Sequence, residues 1–187
     1  MNQIKLELHP FNQILGKNSQ LFVELRFLSS GRLEFTYELT TPMKVIFPDS
    51  EEETRSKEDL WKTTCFELFL GWGKKYLEIN IAPDGIYDIF EFDSYRQKTS
   101  QPQSLIQNIV SRSFYIGQTV YCFGVAQLQE GITLTQFDKV HPTMVVESKT
   151  GMHYWATKHP SSEPDFHDST LWTHLQLENL PKSPSEK

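Results

Sequence analysis

The segment HYWATKHPSSEPDFHDS (153–169) concentrates side chains that could do chemistry near the C-terminal end of the chain. It holds three of the six histidines. His159, Asp165 and His167 could together hold a divalent ion, because imidazole and carboxylate groups are ligands of zinc and iron. Their spacing is not regular, however, and two prolines set the path between the histidines. The competing interpretation is an ordered loop in which these side chains bond to the backbone or touch a ligand. We therefore expect no metal here.

Two glutamates, Glu67 and Glu78, form a second candidate group. On neighbouring strands, paired carboxylates could do acid–base work, so a hydrolase or lyase that combines them with a histidine is an open alternative. Their side of the predicted strands also carries Asn80, Phe69 and Tyr76. A face that mixes carboxylates, an amide and aromatic rings is typical of a polar ligand-binding surface. The competing interpretation is a solvated polar face.

Tryptophan side chains are candidates for stacking on a sugar. Trp61 and Trp155 are predicted to lie at strand edges beside polar residues, where an aromatic ring could cover the apolar face of a sugar. The alternative for either ring is burial in the core. Nucleophilic and nucleotide chemistry are not indicated. Cys65 and Cys122 lie in alternating runs that suit a small buried residue, and no G-x-S-x-G, Walker or G-x-G-x-x-G motif occurs.

The elements that must position these groups are predicted to be antiparallel β-strands. Apolar residues alternate with polar ones in many runs, among them LFVELRFL (21–28), RLEFTYEL (32–39) and KYLEINIA (75–82). A period of two, enriched in β-branched and aromatic residues, indicates half-buried strands. Short turns separate the runs: in APDGI (82–86), Pro83 presets the turn and Gly85 supplies a positive φ. Strands at such intervals favour a β-sandwich or barrel.

Length, composition and charge restrict the class of protein. The chain has 187 residues, 13% of them aromatic, which suits one domain with an aromatic-rich core. We predict one domain over 1–180 and a disordered tail over 181–187, with 50–62 forming either a short helix or a loop. A net charge of −6 without a Lys/Arg cluster argues against nucleic-acid binding. With two cysteines and no long apolar run, the expected location is the cytoplasm, away from membranes.

Three runs taken together resemble the DOMON-like superfamily, in the branch related to family 9 carbohydrate-binding modules. They are, in order, LWKTTCFELFLG (60–71), YLEINIAPDGIYDIFEFDSYR (76–96) and YWATKHPSSEPDFH (154–167). The resemblance implies an all-β sandwich of jelly-roll type with a ligand surface on one sheet. By motif position it implies ligand-binding roles for Glu67, Asn80 and Arg96. The chain departs from the pattern at Tyr87, where the family has a different aromatic residue. No haem motif is recognised, and no cofactor is expected.

The sequence therefore predicts a non-catalytic β-sandwich that binds a small polar ligand, most simply a sugar. The predicted ligand-binding residues are Glu67, Glu78, Asn80, Arg96, Trp155, Trp61, His159, Asp165 and His167. Two alternatives stay open, the hydrolase or lyase and a protein-interaction module whose sheet face packs on a partner. The oligomeric state is left open.

Overall fold

Two antiparallel β-sheets, joined through the first strand, make up the computed structural model of this chain. The structure describes residues 2–11, 15–48 and 57–176, so the predicted tail over 181–187 lies outside it. Of the described residues, 56% are in strands and 7% are helical. This content confirms the predicted all-β fold. Within the same ranges, no helix is long and apolar enough to cross a membrane.

The strands and the short helices follow one another along the chain with turns at the predicted places. The strands are β1 (Asn2–Pro10), β2 (Gln20–Leu28), β3 (Arg32–Thr40), β4 (Cys65–Trp72), β5 (Lys75–Ile81), β6 (Tyr87–Ser94), β7 (Gln97–Lys98), β8 (Ile106–Ile116), β9 (Thr119–Leu128), β10 (Lys139–Ser148), β11 (Gly151–Ala156) and β12 (Thr173–His174). Three 3-10 helices span Lys57–Lys62, Leu134–Gln136 and Ser169–Leu171. The first of them lies in segment 50–62, for which the sequence predicted either a short helix or a loop. Residues 50–56 of that segment are not described.

The strand order divides the molecule into a first and a second sheet. The first sheet runs β1-β2-β3-β9-β8, and the second runs β7-β6-β5-β4-β10-β11, with β12 pairing to β10. Most of β1 pairs with β2, but its last two residues, His9 and Pro10, pair with β11. β1 therefore ties the two sheets together at one end.

The core forms where the inner faces of the two sheets meet. Alternate apolar residues of β2 and β3 join one buried cluster with Phe66, Leu68 and Leu70 of β4. Tyr37 of β3 spans the gap, because its ring meets the Phe66 ring at 5.4 Å and its hydroxyl donates to the backbone carbonyl of Glu67. Burial of these rings is the main stabilising contribution, and it leaves the opposite face of each sheet outside the core.

The turn between β5 and β6 shows how local chemistry sets the register of the second sheet. Gly85 has a φ of +88°, and its N–H donates to the carbonyl of Ala82 at 2.9 Å. The Asp84 carboxylate accepts from the N–H of Ile86 at 3.1 Å. A residue with a side chain is strained at that φ, so the glycine predicted for this turn is required by the backbone.

Trp155 corrects one prediction about the ligand-binding surface. Its side chain is 1% exposed and belongs to the core cluster between the sheets, whereas its neighbour Tyr154 packs with the outer-face residues Cys65 and Val145. The prediction that Trp155 lies on the rim of the ligand surface is therefore wrong. Apolar residues pack on both faces of β11, because Trp155 joins the core and Tyr154 packs on the outer face. The pattern of residue types therefore did not reveal which side of the strand faces the core.

Candidate ligand-binding site

A row of polar side chains crosses the outer face of the second sheet. In the strand pairing, Thr143 of β10 lies opposite Glu67 of β4, Glu67 opposite Asn80 of β5, and Asn80 opposite Asp88 of β6. Directly opposed residues on one face have their Cβ atoms about 5 Å apart. The register alone therefore brings Glu67 and Asn80 together, as the sequence predicts.

Hydrogen bonds link the buried part of this row. The hydroxyl of Thr143 donates to Oε2 of Glu67 at 2.8 Å, and the amide of Asn80 donates to Oε1 of Glu78 at 2.7 Å. Glu67 is 3% exposed, Asn80 0% and Glu78 7%. The amide oxygen of Asn80 is buried and has no hydrogen-bond partner among the described residues. An unpaired buried acceptor is costly and rare, which marks this oxygen as a candidate contact for a ligand hydroxyl.

Burial governs the charge of the two carboxyl groups. Burial, and after it the nearby Glu78, raise the pKa of Glu67 to about 8 against the opposing effect of the hydrogen bond from Thr143. Burial also raises the pKa of Glu78, against the hydrogen bond from Asn80 and the positive charges of Lys98 and Arg96. Glu67 is therefore protonated at neutral pH. A protonated carboxyl can donate a hydrogen bond as well as accept one.

The loop that follows β11 folds over this face and carries His167 and Asp165 into it. Nδ1 of His167 lies 2.8 Å from the hydroxyl of Tyr76, and Nε2 lies 3.7 Å from Oε2 of Glu78. The same hydroxyl accepts the backbone N–H of Arg96 at 3.0 Å. Burial, and after it the charge of Arg96, lower the pKa of His167 to about 4. His167 is therefore neutral at pH 7.

Asp165 holds the turn between β6 and β7 against the loop. Its carboxylate accepts from the hydroxyl of Tyr95 at 2.7 Å, from the guanidinium of Arg96 at 3.0 Å and from the backbone N–H of His167 at 3.0 Å. Burial alone would raise the pKa of Asp165, but the bonds from Tyr95 and Arg96 lower it overall. Arg96 thus lies on the predicted side of the sheet, and its carboxylate partner is Asp165.

Two apolar clusters flank the polar row on the same face. One contains Leu60, Cys65, Ala82 and Val145, and the other contains Phe69, Tyr76, Phe92 and Trp172. Phe166 of the covering loop packs against both. The indole N–H of Trp172 donates to the backbone carbonyl of Phe166 at 2.9 Å. The loop is therefore anchored by its own aromatic residues on either side of the buried carboxyl groups.

The accessible edge of the face carries aromatic and charged groups. Trp61 is 47% exposed and lies in the 3-10 helix that contacts β4, β5 and β6. The ammonium group of Lys98 sits 3.7 Å from the centre of the Phe90 ring, and Asp88 is half-buried beside it. Trp61 is thus an exposed ring on a helix that contacts the strands of the second sheet, and its role in ligand binding stays a prediction.

His159 makes its hydrogen bond at the end of β1. Its Nε2 donates to the backbone carbonyl of His9 at 2.8 Å, and its ring meets Phe11 at 5.3 Å. His159 therefore fastens the loop to the end of β1, the loop-ordering role considered from the sequence. Across the described ranges, no three His, Cys, Asp or Glu side chains are grouped so as to hold a metal ion. That the protein binds no metal stays a prediction.

Sequence reasoning did not assign roles to Thr143, Tyr76 or Lys98. Thr143 sits in the run VHPTMVVES (140–148), which is buried on both faces, so no alternation singled it out. Tyr76 shares the parity of Glu78, and that parity was the available indication that it belongs to this face. Lys98 follows the β6–β7 turn, and its approach to Phe90 depends on the tight turn at Arg96, whose φ is +54°.

Comparison with known proteins shows the fold. No family model and no curated protein matches the sequence. A candidate carbohydrate-binding protein from Bacteroides uniformis ATCC 8492 matches with a TM-score of 0.55 at 10% identity, over 90% of this chain and 85% of that one. A family 9 carbohydrate-binding module from Caldicellulosiruptor kristjanssonii in complex with cellotriose matches with a TM-score of 0.51 at 8% identity, over 85% and 74%. The same kind of module in complex with glucose matches with a TM-score of 0.51 at 6% identity, over 84% and 76%.

These likenesses define the chain as a β-sandwich of the kind found in family 9 carbohydrate-binding modules. They confirm the predicted fold class. At such low identity they assign no residue of this chain a role.

Proposed function

We propose that this protein is a non-catalytic carbohydrate-binding module of the DOMON-like type, which holds a sugar on the outer face of its second sheet. The observation that carries the proposal is the polar row from Thr143 through Glu67 and Asn80 to Asp88, with the unpaired amide oxygen of Asn80 at its centre. The row lies on a fold that carries cellotriose and glucose in the similar modules.

The chemistry of this face suits an uncharged polyol. A sugar hydroxyl can donate to the Asn80 amide oxygen and accept from Lys98 or Arg96 at the rim. Glu67 is neutral at pH 7 because its pKa is raised to about 8, so the buried centre offers little attraction to a cation. Trp61 is half-exposed on the 3-10 helix that contacts β4, β5 and β6, and in this proposal it supplies the apolar surface on which a sugar ring stacks. Because Glu67 and Asn80 are buried, the ligand meets the rim first, and Trp61, Asp88 and Lys98 make the initial contacts.

A catalytic role for the carboxyl groups is less favoured. A general acid or base works at hydrogen-bond distance from its partner, and the Glu78 carboxylate is 3.7 Å from Nε2 of His167. His167 is also held neutral by a pKa of about 4 and engaged by Tyr76 through its other nitrogen. The geometry orders the loop and leaves no histidine ready to exchange a proton with Glu78 at neutral pH.

A protein-interaction role also has little support at this face. A docking face for another protein is typically a broad apolar patch, whereas here the apolar clusters are already covered by the chain's own loop. What remains accessible is the charged and aromatic rim.

Titration calorimetry with cellotriose and a panel of other oligosaccharides tests the proposal. We expect Trp61→Ala and Asn80→Ala each to weaken binding roughly tenfold, since loss of a stacked ring or of the buried amide oxygen of Asn80 is worth on the order of 1 kcal/mol. Glu7→Gln, on β1 of the other sheet, is the matched control and should leave the affinity unchanged.

Two results would contradict the proposal in different ways. If the wild type binds a sugar but Trp61→Ala and Asn80→Ala bind it as tightly as Glu7→Gln does, the site is misplaced. If chromatography shows that the oligosaccharide is cleaved, and that Glu67→Gln abolishes the cleavage, the protein is the hydrolase of the alternative prediction.

A further inference from the structure

A large cleft lies on the outer face of the first sheet, on the far side of the sandwich from the site above. Its volume is about 720 Å³. Its lining comes from β2, β3, β9 and β8, four strands that are adjacent in the sheet. With neighbouring strands about 4.8 Å apart, the cleft runs about 14 Å across the sheet. No part of the carbohydrate site proposed above reaches it.

The charged side chains that line the cleft have formal charges that sum to zero. Glu24 and Arg26 of β2 form an ion pair at 2.8 Å at one end. Arg112 of β8 lies at the other end, exposed to solvent, and within the described part of the chain it has no carboxylate at ion-pair distance. With Glu34 of β3, two carboxylates and two guanidinium groups line the cleft. A ligand of either charge would meet as much repulsion as attraction, so the lining fits a neutral partner that forms many hydrogen bonds.

An aromatic wall stands between these charged ends. Phe123 of β9 is 44% exposed and lines the cleft. Its ring stacks with Tyr121 at 5.9 Å and with Phe114 at 5.7 Å, so three rings hold one another in place. Val110 of β8, 67% exposed, adds further apolar surface. A fixed aromatic wall among carboxylate and guanidinium groups is the combination that binds the apolar face and the hydroxyls of a sugar together.

The floor of the cleft is formed where β9 has no side chain. A Cβ atom placed on Gly124 would lie 2.0 Å from the ring of Phe35. Both residues line the cleft. Glycine inside a strand often marks a close approach of another group to the backbone. Here it lets the Phe35 ring fill the space beneath β9, so that a core ring forms the base of the cleft.

We propose that this cleft is a second saccharide-binding surface, which takes an internal stretch of a linear, uncharged glycan chain. Its length across four strands exceeds one sugar ring, and it lies along an open sheet face with no covering loop among its lining residues. The first site, in contrast, is covered by the loop that carries Phe166. The inference stands on its own lining residues and does not rest on the function proposed for the other face.

Amide NMR spectra of the labelled full chain, titrated with cellohexaose, xylohexaose, mannohexaose and glucose, test this inference. We expect at least one hexasaccharide to shift amides of β8 and β9, while glucose leaves them unmoved. Phe123→Ala should weaken that binding roughly tenfold, and Arg112→Ala should weaken it severalfold. Ile116→Ala, which changes an even more exposed apolar residue on β8 outside the cleft lining, is the control and should have no effect.

The spectra themselves report whether each variant is folded, and Trp61→Ala separates the two sites. Hexasaccharide shifts on β8 and β9 that survive Trp61→Ala support the second surface even if the first site fails. Shifts confined to β4, β5 and β6, shifts that Phe123→Ala and Ile116→Ala change equally, or no shift on β8 and β9 with any hexasaccharide would each overturn the inference.

Discussion

Replacing Glu67 by glutamine should make the folded protein more stable at neutral pH. Burial raises the pKa of this carboxyl from 4.5 to about 8, so the folded state keeps the proton that the unfolded chain has already lost. The unfolded state therefore binds fewer protons between these two pH values, and the stability from this group falls as the pH rises. It is fully present below pH 4.5 and is lost by about pH 8.

The size of the effect follows from the same pKa difference. Each pKa unit corresponds to about 1.4 kcal/mol, so the full loss is about 5 kcal/mol above pH 8 and about 3 kcal/mol at pH 7. Glutamine cannot ionise, and its side-chain oxygen can still accept the hydroxyl of Thr143 that now donates to Glu67 at 2.8 Å. Glu67→Gln should therefore gain up to about 3 kcal/mol at pH 7 and almost nothing at pH 4.5.

Urea denaturation at a series of pH values from 4.5 to 8.5 measures this difference. The free energy of unfolding of Glu67→Gln should exceed that of the wild type by almost nothing at pH 4.5, and by an amount that grows to about 3 kcal/mol at pH 7. Histidines with a lowered pKa, such as His141 and His167, add stability as the pH rises to 6.5, but they do so in both proteins and cancel in the difference. Glu7→Gln, on β1 of the other sheet, controls for the loss of a formal charge. Parallel wild-type and Glu67→Gln curves would refute the conclusion that Glu67 is protonated in the fold.

Two further outcomes test how the covering loop and the core are built. Tyr76→Phe removes the hydroxyl that bonds to His167 and should lower the free energy of unfolding by about 1–2 kcal/mol. The amides of the loop should then exchange their hydrogens faster. Unchanged exchange would show that this bond does not hold the loop. Trp155→Ala should lower the free energy of unfolding by about 3–5 kcal/mol because the ring is buried between the sheets. Trp61→Ala should change it by less than about 1 kcal/mol. Equal losses in the two variants would contradict the burial of Trp155 in the core.

The fold was predictable because most strands have one unmistakable apolar face. Leu77, Ile79 and Ile81 of β5 all enter the core, and this places Glu78 and Asn80 on the outer face without further information. Glu67 follows from the same argument on β4. Pairing of two adjacent strands through a short turn then fixes which residues are opposite. The polar centre of the site could thus be predicted from local sequence pattern alone.

What could not be predicted depends on contacts between distant parts of the chain. The bond between Tyr76 and His167 joins residues 91 positions apart, and the one between Arg96 and Asp165 joins residues 69 apart. Neither leaves a periodic trace in the sequence. The burial of Glu67 and Asn80 has the same origin, because the loop over them packs through Phe166 on clusters from several strands. The sequence pattern assigned these residues to the outer face of the second sheet and did not indicate that a loop covers that face.

The presence of two buried carboxyl groups, Glu67 and Glu78, beneath the covering loop is itself an argument for function. Burying Glu67 and Glu78 side by side raises the pKa of both, which means that the fold is less stable at neutral pH than one with apolar residues there. The amide oxygen of Asn80 adds a further cost, since it is buried without a partner among the described residues. Proteins keep such costs mainly where a ligand or a reaction compensates for them. A hydroxyl that donates to Asn80 would satisfy the unpaired oxygen and leave Glu78 its existing bond. A bound sugar would thus offset part of the cost of burying these polar groups.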